Sequence, residues 1–99
     1  MGLRVRLTPR AITDLEDIRS YLEPRSPQGA ENVRRSIEQT IDTLSDFPGL
    51  GGGTNIPDIR VLPVVFYPYL VYHAVVGDEL VIAHIRHGAR ATPTRDDLA

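Results

Sequence analysis

Leu3, Val5 and Leu7 alternate with Arg4 and Arg6, the period of two that a strand shows when one face meets a core and the other meets water. The run ends at Thr8-Pro9, a capping side chain followed by a residue suited to the first helical turn, where a missing N–H costs nothing. The strand therefore feeds directly into a helix. Ile12, Leu15, Ile18 and Leu22 recur at spacings of three and four, with Asp14, Glu16, Asp17 and Ser20 off the stripe, and Glu23-Pro24 stops the pattern. Ser26-Pro27 repeats the cap-and-proline signal. It opens a second helix whose stripe is Val33, Ile37, Ile41, Leu44 and Phe47, with Arg34, Arg35, Glu38 and Asp42 outside it, closed by Pro48-Gly49. The short connection at residues 23–26 makes the two helices antiparallel neighbours, a hairpin with one shared apolar face that has to sit on a sheet.

From Asp58 onward the period returns to two or gives way to short apolar runs, at residues 59–62 with 64–66, then 70–76, then 79–87. These predict three strands, the first two joined at Tyr67-Pro68-Tyr69 and the last two by Gly77-Asp78, a two-residue loop with glycine first as a type II′ hairpin requires. Pro63 has no N–H for a ladder and so marks its strand as an edge or a bulge. The last two strands are apolar on both faces, which places them centrally. The expected fold is α+β, in the order β-α-α-β-β-β, with a helical hairpin packed on a mostly antiparallel four-stranded sheet.

Residues 48–57 form a glycine-rich stretch that invites comparison with a phosphate-binding loop. It follows a helix, precedes a strand and carries no lysine, the reverse of what such a loop needs, and reads as a connector.

The composition narrows the class. Ninety-nine residues, 41% hydrophobic and 24% charged, suit a single domain over residues 1–99 with its core at about residues 3–93 and a short polar tail. The absence of cysteine excludes disulfides and thiolate chemistry. All 11 basic residues are arginine, so neither a Schiff base nor a phosphate-loop lysine is available, and cationic work falls to guanidinium groups. The net charge of −2 argues against coating nucleic acid with the whole surface. No apolar run approaches the roughly 20 residues that span a bilayer, and Arg4 and Arg6 interrupt the place of a signal peptide's apolar stretch. A cytoplasmic protein with no membrane partner is expected.

Charge is nevertheless segregated. Residues 80–95 hold Arg86, Arg90, Arg95, His84 and His87 and no acid. Alternation places His84 and Arg86 on one face of the last strand and Ile85 and His87 on the other, with Arg90 just beyond. Arg60, from the neighbouring strand, is expected to join the face of Arg86. Arg60, Arg86, His87 and Arg90 form the candidate binding set for an anionic partner, against the alternative of a solvated basic face.

No metal or cofactor is expected, because His84 and His87 diverge and no carboxylate has matching spacing with His73. Ser20, Ser26, Ser36 and Ser45 fall on helices or their caps, outside any nucleophile elbow. His87 is the one candidate general acid or base, and a lone titratable group without a partner reads first as a structural histidine at a strand end. Phe66, Tyr67, Tyr69 and Tyr72 read first as packing rather than base-stacking residues.

Three fragments, taken in order, resemble one known family. They are Leu7-Thr8-Pro9-Arg10-Ala11 followed by Asp14-Leu15 and Ile18; Ile59-Arg60-Val61-Leu62 leading to Tyr67-Pro68-Tyr69-Leu70-Val71-Tyr72; and Ile85-Arg86-His87-Gly88-Ala89-Arg90. The family is the ParE/RelE superfamily of toxins from bacterial type II toxin–antitoxin modules, also called plasmid stabilisation proteins.

The resemblance implies a growth inhibitor neutralised by a cognate antitoxin, a ParD-like ribbon-helix-helix DNA-binding protein whose C-terminal segment wraps the toxin beside the helical hairpin. It further implies that Arg60, Arg86 and Arg90 pair with antitoxin carboxylates. RelE-like members are ribosome-dependent mRNA endoribonucleases that use several basic residues and often a C-terminal tyrosine or histidine, roles that would fall to His87, Arg90 and Arg60. ParE-like members inhibit DNA gyrase without performing chemistry. This chain has no tyrosine after Tyr72, no lysine and two acids in its tail. The ParE-like, non-enzymatic reading with DNA gyrase as target is the expectation, ahead of a ribonuclease and of a non-toxic interaction module.

Overall fold

The computed structural model describes residues 2–88. The elements run β1 (Arg4–Leu7), α1 (Pro9–Leu22), α2 (Pro27–Asp46), β2 (Gly52–Gly53), β3 (Arg60–Pro63), β4 (Tyr69–Val76) and β5 (Glu79–His87). Both helices start as their sequences demand. Thr8 accepts the Ala11 N–H and Ser26 the Gly29 N–H, each with proline in the first turn.

The sheet order is β1-β5-β4-β3-β2. β1 runs parallel to β5, and every other neighbouring pair is antiparallel. The sheet has five strands rather than four, because the glycine-rich connector contributes Gly52 and Gly53 opposite Val61 and Arg60. Gly51 enters this pairing at φ +97°, where an added Cβ would stand 2.5 Å from the Val61 carbonyl oxygen. Only glycine fits so close an approach. His73, fully buried on β4, holds the same segment, its Nε2 lying 3.1 Å from the Leu50 carbonyl oxygen and its Nδ1 3.1 Å from that of Val71. Gly77, at φ +61°, turns β4 into β5 as the hairpin chemistry requires.

The helices cover one sheet face. Val33, Ile37, Ile41 and Leu44 of α2 and Ala11 of α1 pack on Val71, Leu80, Ile82 and Ile85; burial of a side chain of this size contributes about 1.5–3 kcal/mol. On the opposite face Tyr72 and Ala83 are covered by Ile56, Ile59, Val61 and Leu70. The central strands are thus apolar on both sides for different reasons, helices on one and the incoming loop on the other.

Three local expectations are corrected. Residues 64–66 are not strand: β3 stops at Pro63 and the chain turns through Val64 to Pro68, closed by Val64 N–H donating to Tyr69 at 2.9 Å. Phe47 lies past the end of α2 and is exposed, and Ile12 is also exposed, the core position on that turn being taken by Ala11.

Candidate functional site

β1 ends at Leu7, opposite Ile82, but β5 continues to His87. Among the described residues no strand pairs with this edge of β5 from Ala83 onward, and α1 is stitched along it instead. Thr8 donates its N–H to Ile82 and its hydroxyl to the Ala83 carbonyl while capping α1. Asp14 continues the seam. Its Oδ2 accepts the Ile85 N–H at 2.9 Å and lies 2.6 Å from His84 Nδ1, while Oδ1 accepts from Arg10 Nε at 3.1 Å. One helical carboxylate thus does what a neighbouring strand does elsewhere in the sheet.

A break in the β4–β5 register accompanies this seam. Tyr72 pairs with His84 and His73 with Ile82, which leaves Ala83 as the extra residue of a bulge. Beyond it the His84 ring stacks on Tyr72 at 5.9 Å, and Arg86 Nε donates to the Tyr72 hydroxyl at 3.0 Å with its guanidinium 5.5 Å from the ring centroid. Arg86 also donates to the His87 carbonyl at 3.1 Å. His87 meets the edge of Tyr69 at 5.6 Å between ring centroids. A continuous polar chain, Arg10–Asp14–His84–Tyr72–Arg86, results. Its members Arg10, Asp14, His84 and Arg86 line a cleft of about 1090 Å³ between α1, the end of β5 and the β3–β4 turn, with Tyr21, Tyr67 and His87 also on the walls.

The candidate residues do not assemble as expected. Arg60 pairs with His73, in the middle of β4, whereas His87 pairs with Tyr69 at its start. Four residues of strand separate those rows, about 13 Å. Arg60 also does not share the face of Arg86: Leu62, two residues from Arg60, packs in the helix-side core, whereas Arg86 lies across from Leu70 and against Tyr72 on the other side. Its guanidinium donates to the Gly51 carbonyl at 3.3 Å. The register shows why: Arg60 is in phase with Leu62, while the bulge falls between it and Arg86. Arg90 lies outside the described residues. Asp14 is the residue that sequence reasoning misses: it falls off the apolar stripe, yet only 8% of it is exposed. The available signal is its position four after Arg10, on the same face of α1.

The second feature is an apolar groove of about 560 Å³ along the hairpin, floored by Val5, Leu7, Leu15, Ile18, Val33, Ile37 and Ile41. Its rim holds Glu16, Glu23, Glu31, Glu38 and Asp42 against Arg19 and Arg34. A hydrogen bond from Arg34, opposed by slight desolvation and reinforced by the charges of Arg34 and Arg35, keeps the Glu31 carboxyl below its ordinary pKa; the Arg34 guanidinium is held correspondingly firmly protonated by Glu31 and Glu38. Five carboxylates against two guanidinium groups make the rim predominantly acidic. Neither Arg60 nor Arg86 lines this groove. No helix among the described residues is long and apolar enough to cross a membrane.

Helices and sheet arranged in this way form a small two-layer α+β domain. The structure superimposes on a chain of the chromosomal ParDE toxin–antitoxin system from P. aeruginosa with a TM-score of 0.77 at 22% identity, over 87% of this chain and 96% of that one. It also matches the toxin–antitoxin complex RelBE2 from Mycobacterium tuberculosis with a TM-score of 0.59 at 17% identity, over 88% and 99% of the two chains. In sequence it is 28% identical over 90 residues to putative toxin Y4kP of Sinorhizobium fredii, covering 91% of this chain and 93% of that one. Toxin RelE3 of Caulobacter vibrioides is 34% identical over 85 residues, 84% of this chain and 91% of that one; toxin RelE2 of the same organism is 31% identical over 85 residues, 84% and 92%. The family profile described as the ParE toxin of the type II toxin–antitoxin system parDE matches residues 5–92. The chain belongs to this ParE family and is a toxin of a type II toxin–antitoxin system.

Proposed function

We propose that this toxin arrests growth by binding DNA gyrase and stabilising its cleaved-DNA complex, and that a ParD-like antitoxin neutralises it by laying an amphipathic helix in the α1–α2 groove. The observation that carries the target assignment is the separation of His87 from Arg60, the two described members of the would-be nucleolytic set. The rows that hold His87 and Arg60 lie about 13 Å apart along β4, on strands to either side of it, and Arg86 is engaged by Tyr72 and the His87 carbonyl on the opposite face from Arg60. A ribonuclease needs an acid–base pair and a cation converging on one phosphate. His84 and Asp14 are instead tied into the seam that holds α1 to β5, and Arg86 is held by Tyr72 of β4.

For the antitoxin, the groove calls for apolar side chains at helical spacing, and its acidic rim calls for flanking arginine or lysine. That reverses the expected charge pairing, in which toxin arginines met antitoxin carboxylates. A ribosome-dependent endoribonuclease is the second reading, favoured by the RelE names of the two Caulobacter relatives.

The two separate on one variant. In cells depleted of antitoxin, His87→Ala is expected to inhibit growth within threefold of the wild-type dose, with translated mRNA intact. A loss of inhibition accompanied by loss of in-frame mRNA cleavage would establish the ribonuclease instead.

A further inference from the structure

The β3–β4 turn carries an exposure that neither the seam nor the groove uses. Phe66 is 94% exposed and Val65 61% exposed, side by side at the tip. Phe66 also adopts φ +70°, a left-handed conformation in which a bulky side chain is a genuine outlier. Strain and apolar exposure at the same residue are both costs to the isolated chain, and strained residues of this kind concentrate at sites of function.

The tip is not a loose loop. Val64 N–H donates to Tyr69 at 2.9 Å, Tyr69 N–H to Tyr67 at 2.8 Å and Gly88 N–H to Pro68 at 2.7 Å, while Ser36 Oγ reaches the Val65 carbonyl from α2 at 3.4 Å. The backbone is thus anchored to two neighbouring elements while two apolar side chains point outward. This is the form of a preorganised hydrophobic anchor, which loses little conformational freedom on binding.

We propose that Val65 and Phe66 are the hydrophobic contact by which this toxin engages its target protein, inserting into an apolar pocket there; the proposal rests on the reading of the chain as a toxin with a protein target. Two observations select that occupant. Residues 63–68 carry no charge, so the tip offers nothing to a phosphate backbone, and nucleic-acid contacts are dominated by cations. The apolar groove is floored from β1 by Val5 and Leu7, and β5 stands between β1 and β4, from whose connection with β3 the tip projects. A helix seated in that groove leaves the tip uncovered, as a target contact distinct from the antitoxin site requires.

The test compares Phe66→Asn, whose new residue tolerates the left-handed backbone, with Phe66→Met and Phe66→Trp. Each full-length variant is measured for growth inhibition in cells depleted of antitoxin, for affinity to purified antitoxin, and for oligomeric state by sedimentation. The expected result is that Phe66→Asn needs at least tenfold more toxin to halve growth, with antitoxin affinity within twofold of wild type and the oligomeric state unchanged. Phe66→Met, which fills a pocket but cannot stack, is expected to keep activity within about threefold.

Unchanged inhibition by Phe66→Asn overturns the proposal. So does weakened antitoxin binding, which would assign the tip to the antitoxin, or a changed oligomeric state, which would assign it to a second copy. A Met variant as inactive as Asn beside an active Trp variant would indicate base stacking and also overturns it. A wild-type chain that does not inhibit growth would instead remove the toxin reading beneath it.

Discussion

Replacing Asp14 by alanine is expected to destabilise the fold by about 3 kcal/mol, a loss of roughly 15 °C in melting temperature for a domain of this size. Asp14 is 8% exposed and its carboxylate serves three donors at once: the Ile85 N–H, the His84 ring and Arg10. Hydrogen bonds to a charged acceptor contribute about 1.5–3 kcal/mol each, and the Ile85 N–H and the buried His84 would be left beside a methyl group. Asp14→Asn keeps an oxygen for Ile85 and is expected to lose about half as much. Circular dichroism melts of the purified variants read both values. A shift of under 2 °C for alanine would mean that water in the cleft replaces the carboxylate, and α1 would then be held to β5 by packing and the Thr8 bonds alone.

Val5→Glu is expected to weaken antitoxin binding at least 100-fold, about 2.7 kcal/mol, with little effect on the toxin's own stability. Val5 floors the hairpin groove from β1 yet is 39% exposed in the free chain, so a carboxylate there stays hydrated until a partner covers it. On docking it must either be desolvated or hold the partner helix off the floor, and burying an unpaired charge costs several kcal/mol. Titration calorimetry against the cognate antitoxin measures the loss. Affinity within threefold of wild type would place the antitoxin elsewhere, and the α1–α2 groove would lose its assignment.

How much of this was legible depends on which signals are local. Both helix starts followed from Thr8-Pro9 and Ser26-Pro27, and the β4–β5 hairpin from Gly77-Asp78, because caps and turns are written in adjacent residues. The central place of β4 and β5 followed from their doubly apolar pattern. β2 escaped because Gly52 and Gly53 have no side chains to alternate, and its existence depends on the close approach of Gly51 to Val61. Asp14 escaped because its partners are the ring of His84 and the Ile85 N–H, some 70 residues away in the chain. Arg60 was misassigned because a strand pattern fixes which residues alternate within one strand but not the relative phase of two strands, which here is set by the β3–β4 register and the Ala83 bulge. Residues 64–66 look like strand because Val-Val-Phe is strongly β-forming, and the turn wins because Pro63 and Pro68 close the ladder on both sides.

The proposed mode of action is binding rather than chemistry, with DNA gyrase as the partner. It is tested by adding purified, antitoxin-free chain to gyrase, ATP and relaxed plasmid, and following supercoiling and cleaved DNA on a gel. Supercoiling is expected to fall with toxin dose, linear cleaved plasmid to accumulate, and His87→Ala to match the wild type. Unimpaired supercoiling by a preparation that still cleaves translated mRNA on ribosomes would contradict that mode of action.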